Sequence, residues 1–223
     1  LFERCGNPLQ PSYSLPKLLW YKAHWPEAYG KATGVLQCNG YVVLRLTGER
    51  TQDVSQGYGF QCFDMHTARW DAASVREFGI PPEWLPEPMP CHAVAGTVTP
   101  EAARLTGLIP GTPVVAGGLD AACGTLGAGV FEPGQTQEQG GQAGGMSICL
   151  DEYRADPRLI LSRHVVPDRF LLQGGTVGGG GALRWFAEQF CQAEASRGPV
   201  FERMSEEAGD IAPGADGLIF LPY

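Results

Sequence analysis

Several common signals are missing from this 223-residue chain, and each absence closes off a class of function. The seven cysteines (Cys5, Cys38, Cys62, Cys91, Cys123, Cys149 and Cys191) are odd in number, scattered and never arranged as C-x-x-C. That pattern argues against a disulfide framework or a zinc ribbon and fits reduced, mostly buried thiols in a reducing compartment. The four histidines, His24, His66, His92 and His164, stand far apart with no H-x-x-x-H spacing, so a histidine metal triad is not expected. Basic residues number 16 against 24 acidic ones, net charge is −8, and no Lys/Arg run occurs. A nucleic-acid or anionic-membrane surface needs the opposite balance. No apolar run nears the roughly 18 residues of a membrane helix, and no secretory leader is read. These absences predict a cytoplasmic protein without nucleic-acid or membrane partners.

What is present is a chain with 43% hydrophobic residues, enough for one sizeable core or two modest domains. The most informative stretch runs from Thr112 to Val130. A β-branched pair, Val114-Val115, meets Gly117-Gly118, and Asp120 opens a segment of small residues. Paired glycines let a ligand or another backbone approach the strand end. A strand feeding a helix in this way places the first helical residues beside a crevice. Asp120 therefore reads equally as a carboxylate that meets a substrate, with Gly118 beside it, or as a helix cap.

A coarse pass organises the rest. Leu15 to Tyr29 reads as a helix interrupted at Pro26. Tyr41-Val-Val-Leu44 reads, unaided, as a strand. Trp70 to Phe78 is expected to be a helix, followed by a surface-borne connection rich in proline (Pro81, Pro82, Pro86, Pro88, Pro90). Thr99 before Pro100 predicts an N-cap and a helix running to Gly107. A strand at Val114 and a small-residue helix to about Val130 follow. The turn Glu132-Pro-Gly134 is the expected seam between one domain over 1–130 and another over 131–223.

Past that seam glycine dominates. Gln139-Gly-Gly141-Gln142-Ala143-Gly144-Gly145 precedes the strand-like Met146 to Leu150 and reads as a hairpin, either a plain one or one whose backbone N–H groups cradle phosphate. A second cluster, Gly174 to Gly181, joins the strand-like Arg169 to Leu172 to a helix from Ala182 to about Ala193. Leu183, Phe186 and Phe190 share one face of that helix, which predicts packing against a core. Glycines 178–180 read either as a flexible turn or as residues that leave the helix N–H groups free for an anion. Neither a P-loop ending in Lys-Ser/Thr nor a G-x-G-x-x-G context is present.

Taken in order, these segments resemble the FGGY family of carbohydrate kinases. Ser12-Tyr-Ser-Leu-Pro-Lys17-Leu-Leu-Trp20 is similar to its first signature, departing at Tyr21 and Ala23. Leu46-Thr-Gly-Glu through Asp53-Val-Ser55 resembles the "LTGE…TDYS" segment, and Phe63-Asp64 with Arg69-Trp70 its "FD…W" step. Gly96 to Thr99, Gly111 to Val115, Gly117 to Gly129, Ala182 to Phe186 and Gly217 to Tyr223 follow in the family's order. In that family Tyr41 to Leu44 belongs to a helix.

The resemblance implies an α/β, ribonuclease H-like fold in the actin-like ATPase two-domain arrangement, present in part. It implies the middle of a longer kinase, because no D-x-G-T-T-S-like loop occurs. It further implies in-line transfer of the ATP γ-phosphoryl to a sugar or polyol hydroxyl, with Mg²⁺ on the phosphates and a ketopentose mildly preferred. Asp120 matches the base that accepts the hydroxyl proton, and Asp120 and Gly118 match the sugar site. Gly141, Gln142, Ala143, Gly144, Gly178, Gly179 and Gly180 match the nucleotide site, except that Gln142 and Ala143 replace two hydroxyl residues. A homodimer is what many relatives form. The Gln142-Ala143 departure motivates the alternative of a non-catalytic sugar- or nucleotide-binding relative, and a sugar-phosphate hydrolase on the same fold is a weaker one. Asp53 and Asp64 are expected to serve turns rather than chemistry.

Overall fold

The computed structural model describes residues 1–191 and 199–221. Pro222 and Tyr223 of the closing motif and the expected helix end at Ala193 lie outside them. The chain forms two compact units, one of Leu1–Gln137 with Ser147–Gln173, the other of Glu138–Met146 with the chain from Gly174 onward.

The first unit opens with α1 (Phe2–Cys5), α2 (Ser14–His24) and α3 (Pro26–Lys31). The last two are the single interrupted helix of the sequence reading. Trp25 leaves the helical region (φ −131°, ψ 60°) because the proline ring that follows disfavours helical geometry there. Pro26 then starts α3, where its missing N–H is not needed.

The expected strand at Tyr41 to Leu44 is instead α4 (Cys38–Thr47), as the family resemblance implies. Val43 faces the core while Tyr41 and Val42 are exposed, so neighbouring elements override the β-branched propensity. Gly48 ends the helix at φ 84°, a conformation that glycine adopts without strain.

Short strands follow: β1 (Gln52–Asp53), β2 (Phe63–Asp64) and β3 (Arg69–Trp70). The last begins where a helix was expected. The helix, α5 (Ala72–Glu77), starts only after Asp71, whose carboxylate accepts the Ser74 N–H as an N-cap. β4 (Pro88–Met89) pairs in parallel with β1, and β5 (Val94–Thr97) pairs antiparallel with β6 (Pro113–Val115). Between the last two lies α6 (Pro100–Thr106), as expected: the Thr99 hydroxyl accepts the Ala102 N–H at 3.2 Å, and Gly107 closes it at φ 78°. α7 (Asp120–Gly127) follows β6 and ends short of the expected Val130.

A four-stranded sheet has the order β7-β8-β10-β9, from β7 (Thr136–Gly140), β8 (Gly144–Leu150), β9 (Ile160–Arg163) and β10 (Phe170–Thr176). Three apolar clusters stabilise the first unit. Leu15 and Phe60 pack with Val75 and Ile80, Phe63 and Met65 with Leu161 and Phe170, and Ala122 and Val130 with Cys149 and Leu171. Full burial of each large side chain contributes about 1.5–3 kcal/mol.

The second unit contains α8 (Gly180–Phe190) and α9 (Val200–Gly209). The predicted apolar face of α8 is not buried. Leu183, Phe186 and Phe190 remain 48%, 39% and 65% exposed, and the first two line an open cavity together with Met204, Leu218 and Phe220.

Candidate active site

The turn from β6 into α7 carries the aspartate. Backbone bonds fix its start: Ala116 N–H reaches Ala93 O at 3.0 Å and Gly117 N–H reaches Cys91 O at 3.1 Å. Gly117 has φ 77°, which a residue with a Cβ adopts only under strain. At Gly118 the need for glycine is steric, since a Cβ would stand 2.4 Å from Val165 Cγ1.

Asp120 is the first residue of α7 and is exposed. Leu119 holds the N-cap position, and Asp120 itself accepts a first-turn N–H, as the cap reading expects. Asp120 Oδ1 accepts the Ala121 N–H at 2.7 Å, and no hydrogen bond among the described residues engages Oδ2. A carboxylate in the first turn interacts favourably with the helix dipole. One oxygen is thus oriented and the other is available to a hydroxyl proton.

A polar cavity of about 180 Å³ adjoins this turn, lined by Ser14, Lys17, Gln37, Gln56, Tyr58 and Leu119, among others. The Gln37 amide donates to Ser14 Oγ at 3.0 Å. Burial pushes the Tyr58 phenol well above its ordinary range, with smaller contributions in the same direction from Tyr13 and Asp120. The Tyr13 hydroxyl, also lining the cavity, is buried and has no hydrogen-bond partner among the described residues. Such a group is costly unless something bonds it. Of these residues the sequence reading singled out those of the Ser12 to Trp20 signature and, in the Thr112 to Val130 stretch, Leu119. Gln37, Gln56 and Tyr58 carry no local signal and are gathered by the fold.

Asp53 and Asp64 hold turns, as expected. Asp64 Oδ1 accepts the N–H groups of His66 and Thr67 at 2.8 and 3.2 Å. Asp53 Oδ1 accepts those of Ser55 and Gln56 at 3.0 and 3.2 Å.

In the second unit the two glycine clusters meet each other. The hairpin carrying Gly141, Gln142, Ala143 and Gly144 lies against the start of α8. The N–H groups of Gly179, Gly180 and Gly181 donate to Gln142 O, Gly141 O and Gln142 O at 3.0, 2.8 and 3.2 Å. These donors, free for an anion in one of the two readings, are taken up by the hairpin carbonyls. A Cβ at Gly179 would stand 2.5 Å from Gly144 N and 2.7 Å from Ala143 C, so the contact is backbone on backbone. The Gln142 amide lies against Gly181, where an added Cβ would meet Nε2 at 2.2 Å. A cavity of about 380 Å³ opens beside it, lined by Gln142, Val177, Gly178, Gly181, Trp185 and Phe220, among others.

Among the described residues no three His, Cys, Asp or Glu side chains gather to hold a metal ion. None of the described helices is long and apolar enough to cross a membrane.

A profile of the FGGY family of carbohydrate kinases, N-terminal domain, matches residues 1–127. The chain belongs to the FGGY family of carbohydrate kinases. The structure agrees over this FGGY chain's full length. Xylulose kinase from Rhodospirillum rubrum superposes with a TM-score of 0.89 at 33% identity, covering 100% of this chain and 45% of that one. The fold is accordingly part of the ribonuclease H-like, actin-like ATPase class. Xylulose kinase of Bacillus subtilis is 31% identical over 225 residues, covering all of this chain and 44% of that protein. Gluconokinase of Bacillus licheniformis is 28% identical over 229 residues, covering all of this chain and 45% of that protein. The FGGY chain thus spans less than half the length of these relatives.

Proposed function

We propose that the intact protein transfers the γ-phosphoryl group of ATP to a hydroxyl of a sugar or polyol, with Asp120 as the base. The observation that carries this reading is Asp120 itself, at the mouth of a helix in a glycine turn, with Oδ1 held by Ala121 N–H and Oδ2 open. Phosphoryl transfer draws most of its rate from positioning and charge neutralisation. The alcohol loses its proton late, so a carboxylate that is ionised and in place is a sufficient acceptor.

The sugar is assigned to the polar cavity beside Leu119, where the buried Tyr13 hydroxyl, Lys17, Gln37 and Gln56 offer partners to a row of hydroxyls. A ketopentose is the preferred acceptor, in line with the xylulose kinases among the relatives. ATP is assigned to the second unit, at the hairpin of Gly141, Gln142, Ala143 and Gly144 and the turn of Gly178 to Gly180. With the N–H groups of Gly179, Gly180 and Gly181 already bonded, the Gln142 amide and the adjoining cavity are the groups offered to the nucleotide. Mg²⁺ would neutralise the phosphates, but the described residues supply no carboxylate cluster for it, so no residue of this chain is assigned to the metal. The change from sugar to nucleotide domain near residue 130 belongs to the same proposal, as does a homodimer.

A coupled assay of ADP release by the intact protein with Mg·ATP, across ketopentoses, hexoses, sugar acids and polyols, tests the reading. Sugar-dependent ADP release, highest with a ketopentose, is expected. Silence across the panel with ATP bound would favour a non-catalytic relative, to which the Gln142-Ala143 departure points.

A further inference from the structure

The turn that presents Asp120 is gripped by side chains from elsewhere in the first unit. Ser55 Oγ accepts the Leu119 N–H at 2.8 Å, immediately before Asp120. The same hydroxyl donates its proton to Asp53 Oδ1 in a short bond. A serine hydroxyl has only one proton, so giving it to Asp53 turns the lone pairs toward Leu119. At the other end of the turn, Asn39 Nδ2 donates to Ala116 O at 3.2 Å and to Asp53 Oδ2 at 2.9 Å. The Gln56 amide closes the cluster, donating to Asn39 Oδ1 at 2.7 Å and Asp53 Oδ2 at 3.0 Å. Asp53 is 1% exposed and Ser55 is fully buried.

Turn-holding alone requires only the backbone bonds from Ser55 and Gln56 to Asp53. It does not require a hydroxyl relay to a backbone N–H some sixty positions further along the chain. From this we infer that Ser55, oriented by Asp53, is a positioning residue for Asp120: the Asp53–Ser55–Leu119 relay fixes where α7 begins and so where the carboxylate stands. The inference rests on Asp120 being the base. A shift of about an ångström in a reacting group costs up to about a hundredfold in rate, so a bond one residue away has leverage.

The experiment is a double-mutant cycle on the intact protein, comparing kcat of the parent, Ser55→Ala, Asp120→Asn and the double variant. Ser55→Ala is expected to lower kcat about tenfold in the parent, with the KM for ATP unchanged, and by less than about twofold in the Asp120→Asn background. A tenfold loss in both backgrounds, or no loss in the parent, overturns the inference while leaving the base assignment standing. An Asp120→Asn variant with parental kcat removes the base assignment, and the inference with it. Should Ser55→Ala melt before the assay temperature, Ser55→Cys is read in the same way, since it keeps the volume and hydrogen-bonds only weakly.

Discussion

Gly118 and Val165 are packed so closely that a β-carbon on the glycine would stand 2.4 Å from Val165 Cγ1. Val165 is β-branched and stiff, so it cannot swing aside as a long side chain would. Gly118→Ala should therefore cost about 1–3 kcal/mol, the range of an overpacked core. Adding Val165→Ala should return most of that loss. Thermal melts of the two variants check it, and a Gly118→Ala protein as stable as the parent would mean that the turn is looser than described.

The residue before Val165 makes stability depend on pH. His164 is buried, its Nδ1 accepts the Val165 N–H at 2.8 Å, and its Nε2–H therefore donates to Val130 O at 2.9 Å. Burial lowers its pKa below the ordinary 6.5, against a smaller opposing effect of the Val130 bond. The unfolded chain therefore binds a proton that the folded one resists, and stability rises with pH in that window. The contribution is complete above about pH 6.5 and declines as pH falls below it. Urea midpoints from about pH 8 to 5 should fall more steeply for the parent than for His164→Gln. Parallel curves would contradict this.

Gly179 is where the glycine clusters interlock. Gly179→Ala would drive its Cβ into Gly144 N and Ala143 C, which are backbone atoms that cannot rotate away. Loss of the hairpin contact, faster amide exchange at Gly180 and Gly181, and weaker ATP binding are expected. Parental exchange rates at those amides would show that the clusters do not depend on each other.

Five of the seven cysteines should divide into two groups. Burial pushes the Cys5 and Cys91 thiols up to about 11 and the Cys62 thiol up to about 12, so they stay protonated and unreactive near neutral pH. Cys38 and Cys123 are exposed. A thiol reagent should label those two first and the buried ones only on unfolding. Because Cys123 lies one helical turn beyond Asp120, a bound sugar should slow its labelling and not that of Cys38. Equal protection at both would place the sugar elsewhere.

How much of this was legible in the sequence depended on how local each signal was. Thr99, Pro100 and Gly107 mark both ends of α6 because caps are set within a few residues. The glycine turn before Asp120 was legible for the same reason. Tyr41 to Leu44 misled because propensity yields to tertiary packing, and the helix could be read only through the family resemblance. The polar cavity beside Leu119 was largely hidden, since Gln37, Gln56 and Tyr58 come from segments separate from the Ser12 to Trp20 signature and the Asp120 turn. The bonded N–H groups of α8 were hidden too: glycine predicts that donors can be approached, not that a neighbouring carbonyl already occupies them.

If Asp120 is the base of a sugar kinase, the turnover of Asp120→Asn in the intact protein will show it. With the acceptor sugar and Mg·ATP saturating, kcat should fall at least about a hundredfold, the scale of a lost general base, while the melting temperature stays near the parent's. Near-parental turnover in a folded Asp120→Asn protein would mean that another group takes the hydroxyl proton.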